Sequence, residues 1–491
     1  MTVLAKQTKK RKLKKSVIFK SFWFLFFLIS LIAFFLGSRI GIFPMKYLSV
    51  VGIILIVLNL FFLFLVSSKK WNRRLLGCFF SIFFSIVLVI GIFYESITLG
   101  FFKNAFQNRE HYENYQVLVL NTSDYENLSE LKTGKIGVPS TKFTDGAKEL
   151  QNEVKKRTSL TLEEKDNSSL VDALLSKNLR VIVMEEAQKN IFSEINEDFK
   201  NQVKVLETIS IPIKTEKKKV IEGELTKKPF HIYVSGTDDY GSISQVSRSD
   251  VNMIITVNPI TQQILLTSIP RDYYVSLEGM DDYDKLTHAS LYGIDTSMKT
   301  LENLFDIEMD YYLKINFSSL VNLVEAVGGV DISNDEEFTA HYYDEPLKEF
   351  VTYHFDVGTI RLNGKEALAY SRERKSFLTG DRKRVEHQQK VLSALIQKIA
   401  SPSILMSYPK ILNALDGSFD TNMDIQDIIS FIQKQIDKGF EWQIQSNVLE
   451  GTDGSEYVYS MRGHKTYVMI PDEESIEKAK VLMKETFGNN S

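Results

Sequence analysis

Cysteine is nearly missing from this sequence: Cys78 is the only one in 491 residues, and it lies inside an apolar run. No disulfide framework can form within one chain, so a domain exposed to an oxidising exterior must be held by packing. Histidines are few, seven in all, and scattered. No Ser-His-Asp or Cys-His arrangement is evident, which disfavours a covalent nucleophile. Thr133-Gly134-Lys135 has neither the length nor the context of a phosphate-binding glycine loop. The net charge of -3 is close to balance and excludes little about partners. The length is too great for one compact core, so more than one domain is expected.

Long apolar runs are present, all near the start. Val17 to Leu36, Tyr47 to Val66 and Leu75 to Tyr94 each hold about 20 residues, enough to cross a bilayer core as a helix. Lys20 sits near enough to the first run's end to snorkel. The first run is too long for a secretory signal and no small-residue cleavage site follows it. Lys6, Lys9, Lys10, Arg11, Lys12, Lys14 and Lys15 crowd the N-terminal tail, and Lys69, Lys70, Arg73 and Arg74 the second loop, against Arg39 and Lys46 in the first. The positive-inside rule keeps the tail and second loop in the cytoplasm, and an odd number of crossings puts everything after Tyr94 outside. A basic tail (1–16) and three transmembrane helices (17–94) are therefore expected.

After a linker, Ile97 to Asn114, strands and helices alternate. Tyr115–Leu120, Lys135–Val138 and Arg180–Met184 read as strands, and Phe143–Lys156 and Val171–Leu175 as helices. A small α/β accessory domain over 115–213 follows, with no catalytic constellation in it. A lysine-rich linker spans 214–229 and reads as a solvated charge run. A second α/β domain, 230–484, is expected to have a central mixed sheet flanked by helices. Within it, helices are expected around Met406–Leu415 and Asp424–Lys438. Strands follow near Gln443–Leu449 and Thr466–Ile470, the latter requiring a sheet to join, then a final helix from Asp472.

The candidate chemistry lies in this second domain. A strand Phe230–Val234 runs into a turn-rich loop holding Asp238. Arg248-Ser249-Asp250 precedes a strand Val251–Val257, and a third strand, Gln263–Ile269, ends at Arg271. The last two form a hairpin that brings Asp250 and Arg271 to one end. If the first strand runs alongside and parallel to the third, Asp238 joins them. Further on, Arg372 and Arg374 follow a short apolar segment, and Asp381 caps a helix, Arg382 to Ala400. Its inward stripe is Val385, Gln388, Leu392, Leu395 and Ile399, where the Gln388 amide needs a partner. Two carboxylates suit a hard cation such as Mg²⁺, and several arginines suit a pyrophosphate, whose oxygens guanidinium groups bind in pairs. Each residue alone is more often a turn, a cap or a surface ion pair; the case rests on their convergence.

The Gly236-Thr-Asp238 loop, Arg248-Ser-Asp250, Pro270-Arg-Asp272, Asp284-Lys-Leu-Thr-His288, Gly328-Gly-Val-Asp331, Arg372-Glu-Arg374 and Asp381-Arg-x-Arg384 with Gln388-Gln389 together resemble the LytR–CpsA–Psr family over roughly 230–400. The three spans and intervening domain resemble its capsule-associated streptococcal branch. The resemblance implies an extracellular, membrane-anchored phosphotransferase. It would move an anionic glycopolymer, such as capsular polysaccharide, from undecaprenyl pyrophosphate to peptidoglycan through a phosphodiester bond. It implies Asp238 and Asp250 as ligands of Mg²⁺ (or Mn²⁺). Arg248, Arg271, Lys285, Arg372, Arg374 and Gln388 would contact the pyrophosphate or organise its site, and Asp381 would orient an arginine or assist the attacking hydroxyl. A lipid tunnel between sheet and helices and a bilayer setting beside other capsule-assembly proteins are implied too. Three alternatives stay open: a polyprenyl-pyrophosphate phosphohydrolase using the same clamp, a membrane-bound regulator of capsule expression, and a non-catalytic anchor or scaffold for capsule assembly. The short cytoplasmic parts offer no groove-reading element, so no nucleic-acid partner is expected.

Overall fold

The structure, a computed structural model, describes residues 2–41, 44–105, 111–140, 146–195, 199–213, 227–237, 247–280, 282–344, 347–378, 380–399, 410–414, 418–424, 442–461 and 465–488, with a few single positions between 225 and 434; for 2–16 it describes the backbone only. The chain divides into two compact units. One comprises 1–106, 408–416 and 424–440; the other comprises 107–407, 417–423 and 441–491. The sequence reading assigned 408–440 wholly to the second domain, whereas most of it groups with the N-terminal helices. The helices expected there fall largely outside the described residues.

The first unit contains α1 (Thr2–Ile40), α2 (Met45–Ser67) and α3 (Trp71–Ala105). Three stretches, Val17–Arg39, Met45–Ser67 and Trp71–Phe101, are long and apolar enough to cross a membrane. The basic tail continues the helix of the first span. The expected linker from Ile97 is likewise helical to Ala105, with no proline to interrupt it. Helices α1 and α2 share polar contacts. Trp23 Nε1 donates to the Asn59 carbonyl at 2.9 Å, and Asn59 Nδ2 to Ser30 Oγ at 3.0 Å. Such bonds fix helix pairs where no water competes.

In the second unit, the accessory domain contains β1 (His111–Leu120), β2 (Lys135–Pro139), α4 (Gly146–Arg157), β3 (Thr161–Lys165), α5 (Asn167–Leu175), β4 (Val181–Glu185), α6 (Glu186–Ile195), α7 (Phe199–Gln202) and β5 (Val203–Ile213). Its sheet has the order β3-β2-β4-β1-β5. Leu150 and Val154 of α4 pack on one face, and α5 to α7 cover the other through Leu170, Leu174, Phe192 and Phe199.

The second α/β domain begins with a meander: β6 (Phe230–Thr237), β7 (Val251–Asn258) and β8 (Gln263–Ile269). Next come β9 (Tyr274–Ser276), β10 (Tyr283–Lys285), α8 (Leu286–Ala289), α9 (Ile294–Phe305), β11 (Tyr311–Asn316), α10 (Phe317–Ala326), β12 (Val330–Asn334), β13 (Phe338–Asp344), β14 (Glu349–Phe355), β15 (Gly358–Leu362), α11 (Gly364–Arg372) and α12 (Asp381–Ile399). It closes with β16 (Phe419–Thr421), β17 (Gln443–Val448), β18 (Gly451–Tyr457), β19 (Lys465–Pro471) and α13 (Glu473–Phe487). The main sheet is mixed, in the order β16-β11-β6-β7-β8-β17. The strand near Val468 does not join it. It pairs with β18 in its own two-stranded sheet, tied back by a bridge between Tyr273 and Met469.

Period-2 alternation along β6, β7 and β8 gives the sheet two apolar faces. Tyr233, Ile254 and Leu265 pack against Met298, Leu301 and Phe305 of α9 and Ile476, Ala479 and Met483 of α13. Val234, Met253 and Leu266 face the other way, towards Leu392 and Ile396 of α12. Around them Ile232, Ile255, Ile264, Leu313, Ile315 and Ile444 are half-buried. Helices α10 and α11 both begin with asparagine capping boxes, at Asn316 and Asn363. They pack so closely that a Cβ on Gly364 would stand 2.4 Å from the Val321 carbonyl oxygen, which leaves only glycine room at that crossing.

Candidate functional site

Strand register places the site. Gly236 of β6 pairs with Val251 of β7, and Asn252 with Ile269 of β8. The first and third strands run parallel, but the condition that they lie side by side is not met; β7 runs between them. Because β7 is antiparallel to both, the end of β6, the start of β7 and the end of β8 still share one edge. Asp250 N donates to the Gly236 carbonyl at 2.8 Å, and Thr287 N to the Arg271 carbonyl at 2.8 Å. The Lys285–His288 segment is thereby laid against the end of β8.

A buried polar scaffold sets the turn before Asp250. Tyr233 Oη donates to Asn252 Oδ1 at 2.6 Å, Asn252 Nδ2 to the Ser249 carbonyl at 3.0 Å, and Ser235 Oγ to Ser249 Oγ at 2.8 Å. Asp250 emerges from this scaffold 9% exposed. The Arg271 guanidinium donates to Asp250 Oδ1 and also faces Asp272 at 3.6 Å. Lys285 Nζ pairs with Asp272 Oδ1 at 3.1 Å. Burial by itself would raise the Asp250 pKa, but the charges of Arg271, Arg248 and Arg384 outweigh it, and the net shift is downward. Asp250 is therefore an ionised carboxylate under three guanidinium groups. Two carboxylates, Asp250 and Asp272, against Arg271, Arg248, Arg384 and Lys285 leave a surplus of positive charge, the condition for binding a further anion.

Asp284 holds the lysine in place. Its Oδ1 accepts from Lys285 N at 2.7 Å and from His288 Nδ1 at 2.7 Å, while Oδ2 accepts from Ser460 N at 2.7 Å. Ser460 Oγ also meets His288 Nδ1, at 2.8 Å. Serine and aspartate sit on the same ring nitrogen. A nucleophilic triad needs them on opposite nitrogens, so this Asp-His-Ser set is a brace.

Helix α12 differs from its expected orientation. Its buried residues are Arg384, Val385, His387, Gln389, Val391 and Leu395, whereas Ile399 is 39% exposed. The amide that ties the helix to the sheet is Gln389, whose Nε2 donates to the Asn447 carbonyl of β17 at 2.8 Å; Gln388 is half-buried. The rotation turns Arg384 inward, so that its charge acts on Asp250. The sequence reading quoted Arg384 within a motif but did not place it in the site. A helical wheel assigns an arginine beside Val385 to solvent unless an anion is known to face it.

The remaining candidates lie along the α11–α12 junction or outside the described residues. Arg372, half-buried, stacks its guanidinium over the Tyr342 ring at 5.3 Å. Arg374 is exposed in the turn after α11, and its carbonyl accepts from Phe377 N at 3.5 Å. Asp381 opens α12 directly after Gly380, whose φ is +48°; its side chain is not among the described ones. Asp238 lies outside the described residues.

An aromatic cluster packs beneath that junction. His387 stacks on Tyr370 at 4.1 Å and on Phe338 at 5.2 Å, and meets Phe377 edge-on at 5.2 Å. Its Nδ1 donates to the Tyr370 carbonyl at 3.1 Å. Burial pushes its pKa down from 6.5 to about 4. The unfolded imidazole takes a proton below about 6.5 while the folded one stays neutral, so stability falls as pH drops from 6.5 to 4. His387 contributes on the order of 3 kcal/mol to that loss. His387→Phe should therefore show a shallower decline in denaturant midpoint between pH 6.5 and 4 than the parent; equal slopes would refute the assignment.

Comparison with known proteins finds relatives of the second unit's sequence. The model of the LytR_cpsA_psr family matches residues 192–485. The polyisoprenyl-teichoic acid–peptidoglycan teichoic acid transferase TagU of Bacillus mycoides is 34% identical over 278 residues, 55% of this chain and 85% of its own length. TagU of Enterococcus faecalis is 37% identical over 205 residues, 41% of this chain and 64% of its own. Among solved structures, B. subtilis TagV aligns at 29% identity and a TM-score of 0.45, covering 54% of this chain and 99% of that one. TagT bound to LI-WTA aligns at 26% identity and a TM-score of 0.42, covering 55% and 95%. The chain is anchored by three membrane helices with its large domain outside, and it belongs to the LytR–CpsA–Psr family.

Proposed function

We propose that this protein transfers an anionic glycopolymer, a capsular polysaccharide, from undecaprenyl pyrophosphate to peptidoglycan. The observation that carries the reading is the ionised Asp250 under Arg271, Arg248 and Arg384, at one edge of a sheet whose adjoining face is half-buried aliphatic. A pyrophosphate on a long isoprenoid needs both features at once: a cationic clamp for its oxygens and an apolar bed for its chain. The TagU relatives carry a polyisoprenyl-linked polymer to peptidoglycan by name. The extra spans and the accessory domain resemble the capsule-associated branch, which favours capsule as the cargo.

In the proposed step, an acceptor sugar hydroxyl attacks the phosphorus that bears the polymer. A phosphorus–oxygen bond to the acceptor forms and the bond to the lipid-bearing phosphate breaks. Undecaprenyl monophosphate leaves with the bonding electrons, and the hydroxyl proton passes to a base. Arg271, Arg248, Arg384 and Lys285 stabilise the charge that grows on the phosphoryl oxygens. Arg372 and Arg374, from the α11–α12 junction, complete the clamp, Gln388 donates to it, and Asp381 orients the acceptor or an arginine.

The donor set at Asp250 fits Mg²⁺. The carboxylate stays ionised, and this ion takes one or two carboxylates together with phosphate oxygens. Asp250, with Asp238, would hold it, and the ion would neutralise the pyrophosphate charge.

The test uses the full chain in detergent micelles with lipid-pyrophosphate-linked polymer and peptidoglycan. Polymer should become covalently wall-linked through a phosphodiester as lipid monophosphate appears, and Arg374→Ala should lower the yield about 100-fold. Cleavage of the lipid pyrophosphate with all polymer released free would make the protein a hydrolase and overturn the reading.

A further inference from the structure

The accessory domain is fused to the catalytic domain by a buried seam. Ala187 of α6 packs among Leu291, Val458, Met461 and Val468. Beside this seam lies a cavity of about 30 Å³, walled by Asp166, Asn167, Glu185 and Gln188 from one domain and by Tyr292 and Ser460, among others, from the second. That volume admits one ion or about two waters.

Three side chains in the walls carry an oxygen without a partner, although Tyr292 hydrogen-bonds the Gln188 side chain. Asn167 Oδ1, Glu185 Oε1 and Gln188 Oε1 are all buried without a hydrogen-bond partner. Glu185 is 4% exposed and Gln188 1%. Glu113 lies close enough to add its charge to the burial of Glu185, both favouring a neutralised Glu185. The Glu113 Oε2 atom already accepts from Tyr115 Oη at 2.5 Å. A buried carboxylate facing a second one, with two orphaned amide oxygens beside it, is costly unless a proton or a cation is shared among them.

The donors are carboxylate, amide and hydroxyl oxygens. No three His, Cys, Asp or Glu side chains converge on a metal position among the described residues, which argues against a zinc-type site. Hard-oxygen sets that mix carboxylate with amide carbonyls are those of Ca²⁺. We propose that this seam cavity is a structural cation site for a Ca²⁺-sized divalent ion that locks the accessory domain onto the catalytic domain. Ser460 belongs both to the cavity wall and to the brace on Asp284, whose neighbour Lys285 pairs with Asp272. Occupancy thus reaches the edge of the phosphate clamp through one residue. The proposal does not depend on the transferase reading.

The test uses the full chain in detergent micelles, stripped with chelator and titrated with CaCl₂. Extracellular Ca²⁺ sites of this kind hold with Kd on the order of 0.1–1 mM. At about ten times Kd, the melting temperature should rise by about 2–4 °C. Asp250→Asn, which disables the other divalent site, should keep the shift, and Glu185→Gln should lose it. Tb³⁺ added to Asp250→Asn should give tyrosine-sensitised emission, because Tyr115, Tyr292 and Tyr459 line the cavity, and CaCl₂ should displace it. This arm stands even if Glu185→Gln fails to fold. A shift that survives Glu185→Gln, a shift lost in Asp250→Asn, or no Ca²⁺-displaceable emission would each overturn the proposal.

Discussion

Asp250→Asn should lower polymer attachment by about 100- to 1000-fold, the usual range for removing one charged group from a preorganised phosphoryl site. The substitution keeps the shape and the contact with Arg271 but removes the charge. Three guanidinium groups are then left with Asp272, already shared with Lys285, as their neighbouring carboxylate, and the added repulsion shifts Arg271 and Arg384 from the positions that receive pyrophosphate. Thermal stability should change little by comparison, because Ser235, Ser249, Asn252 and Tyr233 hold the turn without using the Asp250 side chain. Arg271→Ala should cost a similar factor. The double variant should cost much less than the product of the two, since both changes dismantle one ion pair. The check is wall-linked polymer formed per unit of purified protein, with a melting curve alongside. Multiplicative losses in the double variant would show that Asp250 and Arg271 act independently.

Arg384→Ala should be the second large loss, again about 100-fold in attachment, with Arg384→Lys recovering part of it. Arg384 is 8% exposed and its charge bears on Asp250 from the first turn of α12. An arginine at that depth has no structural advantage over leucine unless an anion faces it. If packing were its whole function, Arg384→Met would retain activity and raise stability. If it serves the clamp, Arg384→Met stays inactive yet folds, and its apparent affinity for a polyprenyl pyrophosphate falls.

Much of this was legible in the sequence, for identifiable physical reasons. The three spans declared themselves by length and by the charge of their loops. The β7–β8 hairpin was readable because alternation and the Asn258-Pro259 break fix both strands and their pairing, so Asp250 and Arg271 could be set side by side from spacing alone. Other features depended on long-range packing. The place of β7 between β6 and β8 is a choice of sheet order, which alternation does not encode. The rotation of α12 is set by Gln389 reaching the Asn447 carbonyl some 58 positions along the chain. That contact, and the anion facing Arg384, moved a charged residue inward and Ile399 outward, against the hydrophobic stripe. The pairing of Val468 with β18 was missed for a related reason: a lone strand signal does not name its partner.

The most direct measurement is the structure of the full chain with a polyprenyl pyrophosphate bound. The pyrophosphate should lie beside Asp250 within reach of Arg271 and Arg384, and the isoprenoid should run along the face that carries Ile232, Ile255 and Ile264 beneath α12. A pyrophosphate seated away from Asp250, or an isoprenoid on the opposite face among α9 and α13, would contradict the account.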